Sequence, residues 1–175
     1  MSEASPKVIL DVKDISLSFG GVKAITDVSF DVRLGEVRAI IGPNGAGKTS
    51  MLNCINGFYH PQVGTISYKG EPRKRMAPYV AASQGIARTF QNVALFRGMT
   101  TLDNIMSGRT LRMKKNFFWQ MWRHGPAMQE EIEHREKVEE IIDFLEIQAI
   151  RKTPVGRLPY GLQKRVELAR ALAME

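Results

Sequence analysis

Hydrophobic and polar residues alternate in two stretches near the start of the chain, and this period of two predicts β-strands. The first stretch covers residues 8–19 and stops at a pair of glycines. The second covers residues 28–33, where apolar residues hold every other position. A third short strand is predicted over residues 64–70, between two glycines. Because strands precede the first predicted helix, we expect an antiparallel β layer rather than a simple doubly wound sheet.

From about Thr101 onward, the hydrophobic residues recur at helical intervals instead. One stripe predicts a long helix and consists of Met128, Ile132, Val138, Ile141, Ile142 and Leu145. Another helix is predicted from Leu162 to Glu175, with a buried stripe formed by Val166, Ala169, Leu172 and Ala173. We therefore predict one domain in two lobes, with a β core over about residues 1–90 and a helical lobe over about residues 91–175.

A glycine-rich loop, Gly-Pro-Asn-Gly-Ala-Gly-Lys-Thr, lies at residues 42–49. An apolar run at residues 37–41 predicts a short buried strand before the loop, and a helix is predicted over residues 49–55 after it. Glycines allow the backbone angles that turn successive N–H groups inward to form an anion nest. The predicted phosphate-binding residues are Gly42, Pro43, Asn44, Gly45, Ala46, Gly47, Lys48, Thr49 and Ser50.

Two residues of this loop have distinct chemical tasks. Lys48 adds a positive charge for the β- and γ-phosphates of a nucleoside triphosphate, and the Thr49 hydroxyl is placed to bind Mg²⁺. The N-terminus of the following helix faces the phosphates. A glycine-rich turn that binds nothing is the weaker interpretation, because both the spacing and the strand–loop–helix context are met.

The composition narrows the class of protein. With 175 residues, 43% of them hydrophobic, the chain suits one folded domain. No apolar run approaches the roughly 20 residues that cross a bilayer. The single cysteine, Cys54, cannot form an internal disulfide, which favours a reducing, cytoplasmic setting. The net charge of +7 favours anionic partners, and it does not choose among nucleotide, lipid headgroups and nucleic acid.

Three further stretches give the chain a family resemblance. An aromatic residue, Phe19, ends the first predicted strand; Thr-Phe-Gln-Asn occupies residues 89–92; and Leu-Pro-Tyr-Gly-Leu-Gln occupies residues 158–163. In that order, together with the phosphate loop, they resemble the ATPase domains of ATP-binding-cassette (ABC) transporters, from about residue 8 to the end of the chain. The amino-acid sequence of residues 85–92 is similar to that of the subfamily that powers branched-chain amino acid import. The resemblance implies an α/β P-loop fold of ABC type, with the antiparallel layer, a mixed or parallel core sheet and a helical subdomain.

The resemblance also implies roles for residues outside the loop. Phe19 would stack on adenine, and Gln91 would approach Mg²⁺, together with Thr49, and the attacking water. Tyr160 and Gly161 belong to a signature turn that would face the γ-phosphate of ATP bound by a second copy. Taken alone, Phe19 is equally a core phenylalanine, and Gln91 an ordinary loop residue.

The signature turn departs from the family pattern at its second position. Pro159 stands where the family usually has serine, so it supplies neither a hydroxyl nor an N–H to a phosphate. Tyr160 and Leu162 also depart from the usual residues. The contact in trans is therefore expected to depend on Gly161 and the helix N-terminus.

A further departure concerns catalysis. In the family, a strand ending in Asp and Glu follows the Ala-Arg-Ala-Leu helix, and a histidine comes later. No residue of this chain matches these three positions, so we expect an incomplete ABC domain that is inactive by itself. The family resemblance nevertheless implies an ABC-type ATPase that uses ATP and Mg²⁺.

The implied partners are a second ABC ATPase subunit, identical or different, and membrane permease subunits. The implied location is cytoplasmic, on the inner face of the cell membrane. Two alternatives stay open: a soluble ABC protein acting on ribosomes or nucleic acid, and a non-catalytic nucleotide-binding fragment. A basic and aromatic segment at residues 109–123 suggests either a membrane or partner contact, or aromatic residues packed inward beneath a solvated basic face, which we favour.

Overall fold

The computed structural model describes residues 7–73, 75–90, 92–110, 112–113 and 126–174, with the backbone alone described for residues 126–130. Two compact units make up the chain, Met1–Ala81 and Ala82–Glu175. The first unit is built around a β-sheet and the second from helices. This division follows the change from strand-like to helical hydrophobic spacing along the sequence.

The first unit contains a four-stranded antiparallel sheet in the order β2-β1-β3-β4. Its strands are β1 (Val8–Phe19), β2 (Val22–Arg33), β3 (Val63–Tyr68) and β4 (Glu71–Pro72). The antiparallel layer and the bounds of β1 agree with prediction. Strand β2 begins at Val22 rather than residue 28, because Asp27 has a positive φ of 49° within a stretch of shifted register that interrupts the alternation.

Helix α1 (Lys48–Ile55) contributes to the core of this unit. Its residues Met51 and Cys54 pack with buried side chains of the sheet, namely Val12, Ile15, Leu17, Ile25 and Ile66. Cys54 is 4% exposed, and burial raises the pKa of its thiol to about 11. It is therefore a neutral packing residue at physiological pH.

The prediction of a buried strand at residues 37–41 is wrong. These residues are in neither a helix nor a strand, and Val37 and Ile41 are 98% and 92% exposed. A strand requires hydrogen-bonding neighbours, and in the described part of the chain every named strand pairs antiparallel with another named strand. The apolar run gives the right composition for a strand, but none of the strands among the described residues pairs with it.

The second unit is mainly helical. Helix α2 (Pro78–Ser83) crosses the boundary between the units and is followed by α3 (Thr101–Arg109), α4 (Pro126–Phe144) and α5 (Tyr160–Leu172). Thr100 caps α3, since its hydroxyl accepts a 3.1 Å hydrogen bond from the N–H of Asp103. Two 3₁₀ turns, Gln148–Ile150 and Val155–Arg157, connect α4 to α5. No helix in the described part of the chain combines the length and hydrophobicity that spanning a bilayer requires.

The buried stripes of α4 and α5 largely follow the predicted spacing. Val138, Ile142, Val166, Ala169 and Ala173 are all fully buried. Ile132 is 41% exposed, however, whereas His134 is 9% exposed. Counting back four residues from Val138 leads to position 134, so His134 takes the inward place and Ile132 falls on the outer face.

Arg109 is buried rather than part of a basic surface. Its Nε donates to Nδ1 of His134 at 3.1 Å, and its guanidinium donates to the carbonyl oxygen of Ala173 at 3.2 Å. These bonds join α3, α4 and the end of α5 within the second unit. Arg112 is exposed, and its Nε donates to the carbonyl oxygen of Met174 at 3.2 Å. Residues 111 and 114–123, which hold most of the basic and aromatic segment, lie outside the described residues. The interpretation of that segment stays a prediction.

Candidate nucleotide-binding site

The glycine-rich loop runs directly into α1 and has the backbone geometry of an anion nest. Gly45 and Gly47 have φ angles of 86° and 79°, a region that favours glycine. Gly47 also passes so close to β2 that an added Cβ would lie 2.2 Å from the carbonyl oxygen of Ala24. This approach anchors the loop to the sheet at the residue that caps α1.

The start of α1 is suited to bind a negatively charged group. No side chain caps the helix, and no acidic residue lies in its first turn. The leading N–H groups of a helix have no acceptor within the helix and carry its positive dipole end. Thr49 is exposed and Ser50 half-buried in this first turn. These features fit the triphosphate of a nucleotide.

Lys48 concentrates positive charge at the loop. Its ammonium donates to the carbonyl oxygens of Gly42 and Pro43, at 2.7 and 2.6 Å. These bonds fold the side chain back over the loop. A bound triphosphate would offer this ammonium charged acceptors, which form stronger hydrogen bonds than neutral carbonyls do. Pro43, Asn44, Gly45 and Ala46 are exposed along the same loop.

Phe19 lies at the end of β1 and is 46% exposed. Its ring packs edge to face against Tyr59, with the ring centroids 4.9 Å apart and the planes at 71°. Phe19 pairs with Val22 of β2, and Ala24 of the same strand touches Gly47. The β1–β2 turn and the phosphate loop are thus joined through one strand of the first unit.

Sequence reasoning missed Tyr59 because no motif includes it. It lies beyond the end of α1, in a Gly-Phe-Tyr-His-Pro run, and is 36% exposed. The available signal was an aromatic pair shortly after the predicted helix. Its edge contact fixes one side of the Phe19 ring and leaves part of that ring exposed.

The signature turn forms the start of α5 in the second unit. Tyr160 is 63% exposed, and an added Cβ on Gly161 would meet no atom within 4 Å. Pro159 is the N-cap and makes no side-chain capping bond, so the helix begins without one. Helix α5 begins at Tyr160, two residues earlier than the predicted Leu162. Lys164 lies 5.8 Å from the centre of the Tyr160 ring.

Gln91 lies outside the described residues, so its predicted role stays a prediction. The residue before it, Phe90, is held by α5 through a charged side chain that sequence reasoning missed. Glu167 is 1% exposed and accepts a 3.0 Å hydrogen bond from the N–H of Phe90. A sequence signal was available, because Lys164 and Glu167 have the i, i+3 spacing of paired charges on a helix.

The sequence matches the ABC transporter family over residues 25–175. The chain belongs to the ABC transporter family. This match includes the phosphate loop, the segment around Phe90 and the signature turn. It shows the ABC-type α/β P-loop fold that the order of these motifs predicted.

Two relatives of this ABC chain have names that specify a transported substrate. It is 34% identical, over 164 residues, to the high-affinity branched-chain amino acid transport ATP-binding protein BraF of Pseudomonas aeruginosa. It is 30% identical, over 167 residues, to the high-affinity branched-chain amino acid transport ATP-binding protein LivG of Escherichia coli. These alignments cover 94% and 95% of this chain but 64% and 66% of the relatives.

Solved ABC structures share the fold. A nucleotide-free ATP-binding cassette from an ABC transporter matches with a TM-score of 0.77 and 32% identity, over 95% of this chain and 65% of that one. The ADP conformation of MJ1267, an ATP-binding cassette of an ABC transporter, matches with a TM-score of 0.78 and 30% identity, over 95% of this chain and 65% of that one. The fold therefore agrees with cassettes crystallised both with and without a nucleotide.

Replacing Phe19 with alanine is expected to weaken binding of ATP and GTP to this ABC chain to a similar extent. Stacking reads the face of a base, is worth roughly 1–3 kcal/mol per base, and does not depend on the hydrogen bonds at its edge. Titration of fluorescent ATP and GTP analogues measures both losses, and Phe19→Tyr, which keeps the aromatic face, is the control. A loss confined to ATP would instead indicate an adenine-specific pocket around Phe19.

Proposed function

We propose that this chain is the nucleotide-binding part of the ATPase subunit of an ABC importer for branched-chain amino acids. The cradle formed by Gly45, Gly47 and Lys48 carries the nucleotide-binding part of this proposal. The importer and its substrate are supported by the identity of 30–34% with BraF and LivG, which are named for that transport. The ribosomal or nucleic-acid alternative is not favoured by these relatives.

In this proposal, residues of the first unit bind the phosphates and the base of ATP, and Gln91 of the second unit has a role only toward Mg²⁺. The backbone of the loop and the start of α1 surround the phosphates, Lys48 neutralises their charge, and Phe19 stacks on adenine. Thr49 and Gln91 would hold Mg²⁺, which neutralises charge on the β- and γ-phosphates when bound. The side chains therefore act mainly by positioning ATP and by offsetting its negative charge.

We propose that a second ABC subunit completes the site. The turn at Tyr160 and Gly161 would face the γ-phosphate held by that partner, through the exposed start of α5. Because Pro159 offers neither a hydroxyl nor an N–H, the contact relies on the backbone of the helix N-terminus. The assembled dimer would act on permease subunits at the inner face of the cell membrane.

Residues 1–175 alone are expected to bind Mg·ATP and not to turn it over. Phosphoryl transfer depends almost wholly on positioning the attacking water and stabilising charge. Lys48, Thr49 and Gln91 serve phosphate and metal, whereas no carboxylate of this chain is assigned to the water. The test measures phosphate release under saturating Mg·ATP. It compares residues 1–175 with a version that is extended through a strand ending in Asp and Glu. Steady release that Lys48→Ala abolishes would overturn the expectation.

The importer assignment has a separate test. We expect a tagged, extended version of this chain to co-purify with the permease subunits of a branched-chain amino acid importer. We propose that the permease contact does not involve the phosphate loop, so the association should persist in the Lys48→Ala variant. Co-purification with ribosomes instead, removed by nuclease treatment, would contradict the assignment.

A further inference from the structure

An ion pair on α5, with Glu167 buried and Lys164 half-buried, holds the chain at Phe90. Glu167 is 1% exposed, and its Oε2 lies 2.9 Å from Nζ of Lys164. Glutamate is almost never fully buried unless it is paired. Here the pairing extends beyond the helix itself, to a segment far away in the sequence.

The pair forms hydrogen bonds with both backbone polar groups of Phe90. The N–H of Phe90 donates to Oε1 of Glu167 at 3.0 Å, and the carbonyl oxygen of Phe90 accepts from Nζ of Lys164 at 2.5 Å. The guanidinium of Arg88 lies 5.0 Å from the centre of the Phe90 ring, which holds the side chain as well. The segment is thus held to α5 at Phe90, and Glu167 also accepts a hydrogen bond from the backbone of Ala94.

These bonds keep Glu167 ionised. Burial by itself would raise its pKa, but hydrogen bonds from Lys164 and from the backbone at Phe90 and Ala94 lower it overall, below the ordinary 4.5. The charge is therefore present at neutral pH. Its contribution to stability is complete above pH 4.5 and is lost as the pH falls through the lower folded-state pKa.

We propose that Glu167 and Lys164 are positioning residues that fix the backbone entering Gln91 to the helix that begins at Tyr160. The proposal rests on the proposed function, which gives Gln91 its role toward Mg²⁺. An ion pair with a buried partner adds little net stability compared with apolar residues of the same shape. The ion pair instead fixes the orientation of the backbone at Phe90, because two charged hydrogen bonds hold both the N–H and the C=O of this residue.

Two measurements on the 175-residue chain test this positioning. The first is hydrogen exchange at the amide of Phe90, with the amide of Ala169 in the core of α5 as an internal reference. The second is the gain in affinity for a fluorescent ATP analogue when Mg²⁺ is added. The variants are Glu167→Ala, Glu167→Gln and Lys164→Met, and the matched control is Glu136→Gln, on the exposed face of α4.

We expect Glu167→Ala to speed exchange at Phe90 about tenfold, the scale of one lost hydrogen bond, with Ala169 unchanged. The gain in affinity from Mg²⁺ should fall several-fold, as in Gln91→Ala, while affinity without Mg²⁺ stays at the wild-type value. The Glu167→Gln variant keeps an acceptor for the N–H of Phe90 and should recover most of both effects. The double variant with Gln91→Ala should lose no more than Gln91→Ala alone.

A purely structural role predicts a different pattern. A wild-type gain from Mg²⁺ in Glu167→Ala, or equal loss with and without Mg²⁺, would overturn the positioning role. If Glu167→Ala fails to fold, the Glu167→Gln and Lys164→Met variants still test the proposal. Fast exchange at Phe90 in Lys164→Met, combined with a wild-type gain in affinity on adding Mg²⁺, would overturn the positioning role. If the wild-type chain binds no nucleotide at all, the proposed function fails, and unchanged exchange at Phe90 in all variants would separately refute the anchor.

Discussion

Replacing Lys48 with alanine is expected to weaken binding of an ATP analogue roughly tenfold to a hundredfold, or about 1.5–3 kcal/mol. The physical reason is the loss of the ammonium, which lies 2.7 Å from the carbonyl oxygen of Gly42 and 2.6 Å from that of Pro43. Without it, phosphate oxygens lose a charged donor in a site that is otherwise built from backbone N–H groups. Fluorescence titration of both proteins measures the difference.

The control must separate this local effect from net charge. Lys23 is exposed on β2 in the same unit, so Lys23→Ala removes an equal charge outside the loop. Thermal unfolding of each variant shows whether the loop stays folded, because Lys48 also bonds to loop carbonyls. Equal affinities for wild type and Lys48→Ala would refute the assignment of the loop as the phosphate site.

Replacing Gly47 with alanine is expected to be the most destabilising change in the loop and to abolish detectable nucleotide binding. A non-glycine residue held at a φ of 79° costs on the order of 1–3 kcal/mol. In addition, the new Cβ would lie 2.2 Å from the carbonyl oxygen of Ala24, so either α1 or β2 must move. We expect a loss of roughly 3 kcal/mol or more in the free energy of unfolding.

Gly35 provides a matched control for the backbone term. Its φ of 77° nearly equals that of Gly47, but an added Cβ would meet nothing within 4 Å. Denaturant unfolding of Gly35→Ala and Gly47→Ala therefore separates backbone strain from the close approach to β2. Equal losses in the two variants would show that the contact with Ala24 relaxes easily and does not anchor the loop.

The sequence by itself determined the features whose signals are local. Strand β1 was predicted with its observed bounds, because alternation of period two depends on neighbouring residues alone. The glycine-rich loop and the helix after it were likewise predictable, since glycine spacing and the apolar pattern that follows are local signals, whereas phosphate binding by the loop stays a prediction. The burial of Val166, Ala169 and Ala173 followed from helical spacing in the same way.

Tertiary structure decided the features that depend on partners distant in the sequence. The apolar run at residues 37–41 has the composition of a strand, yet forms none here, because pairing needs a neighbouring strand that local composition does not supply. Helical spacing from Val138 turns His134 inward, and only the folded chain brings Arg109 from another helix to donate to it there. Glu167 is buried because the N–H of Phe90, 77 residues away, is the group it accepts from. A polar group is buried at low cost only where it has a hydrogen-bond partner. When that partner is distant in the sequence, only the tertiary structure places the two groups together.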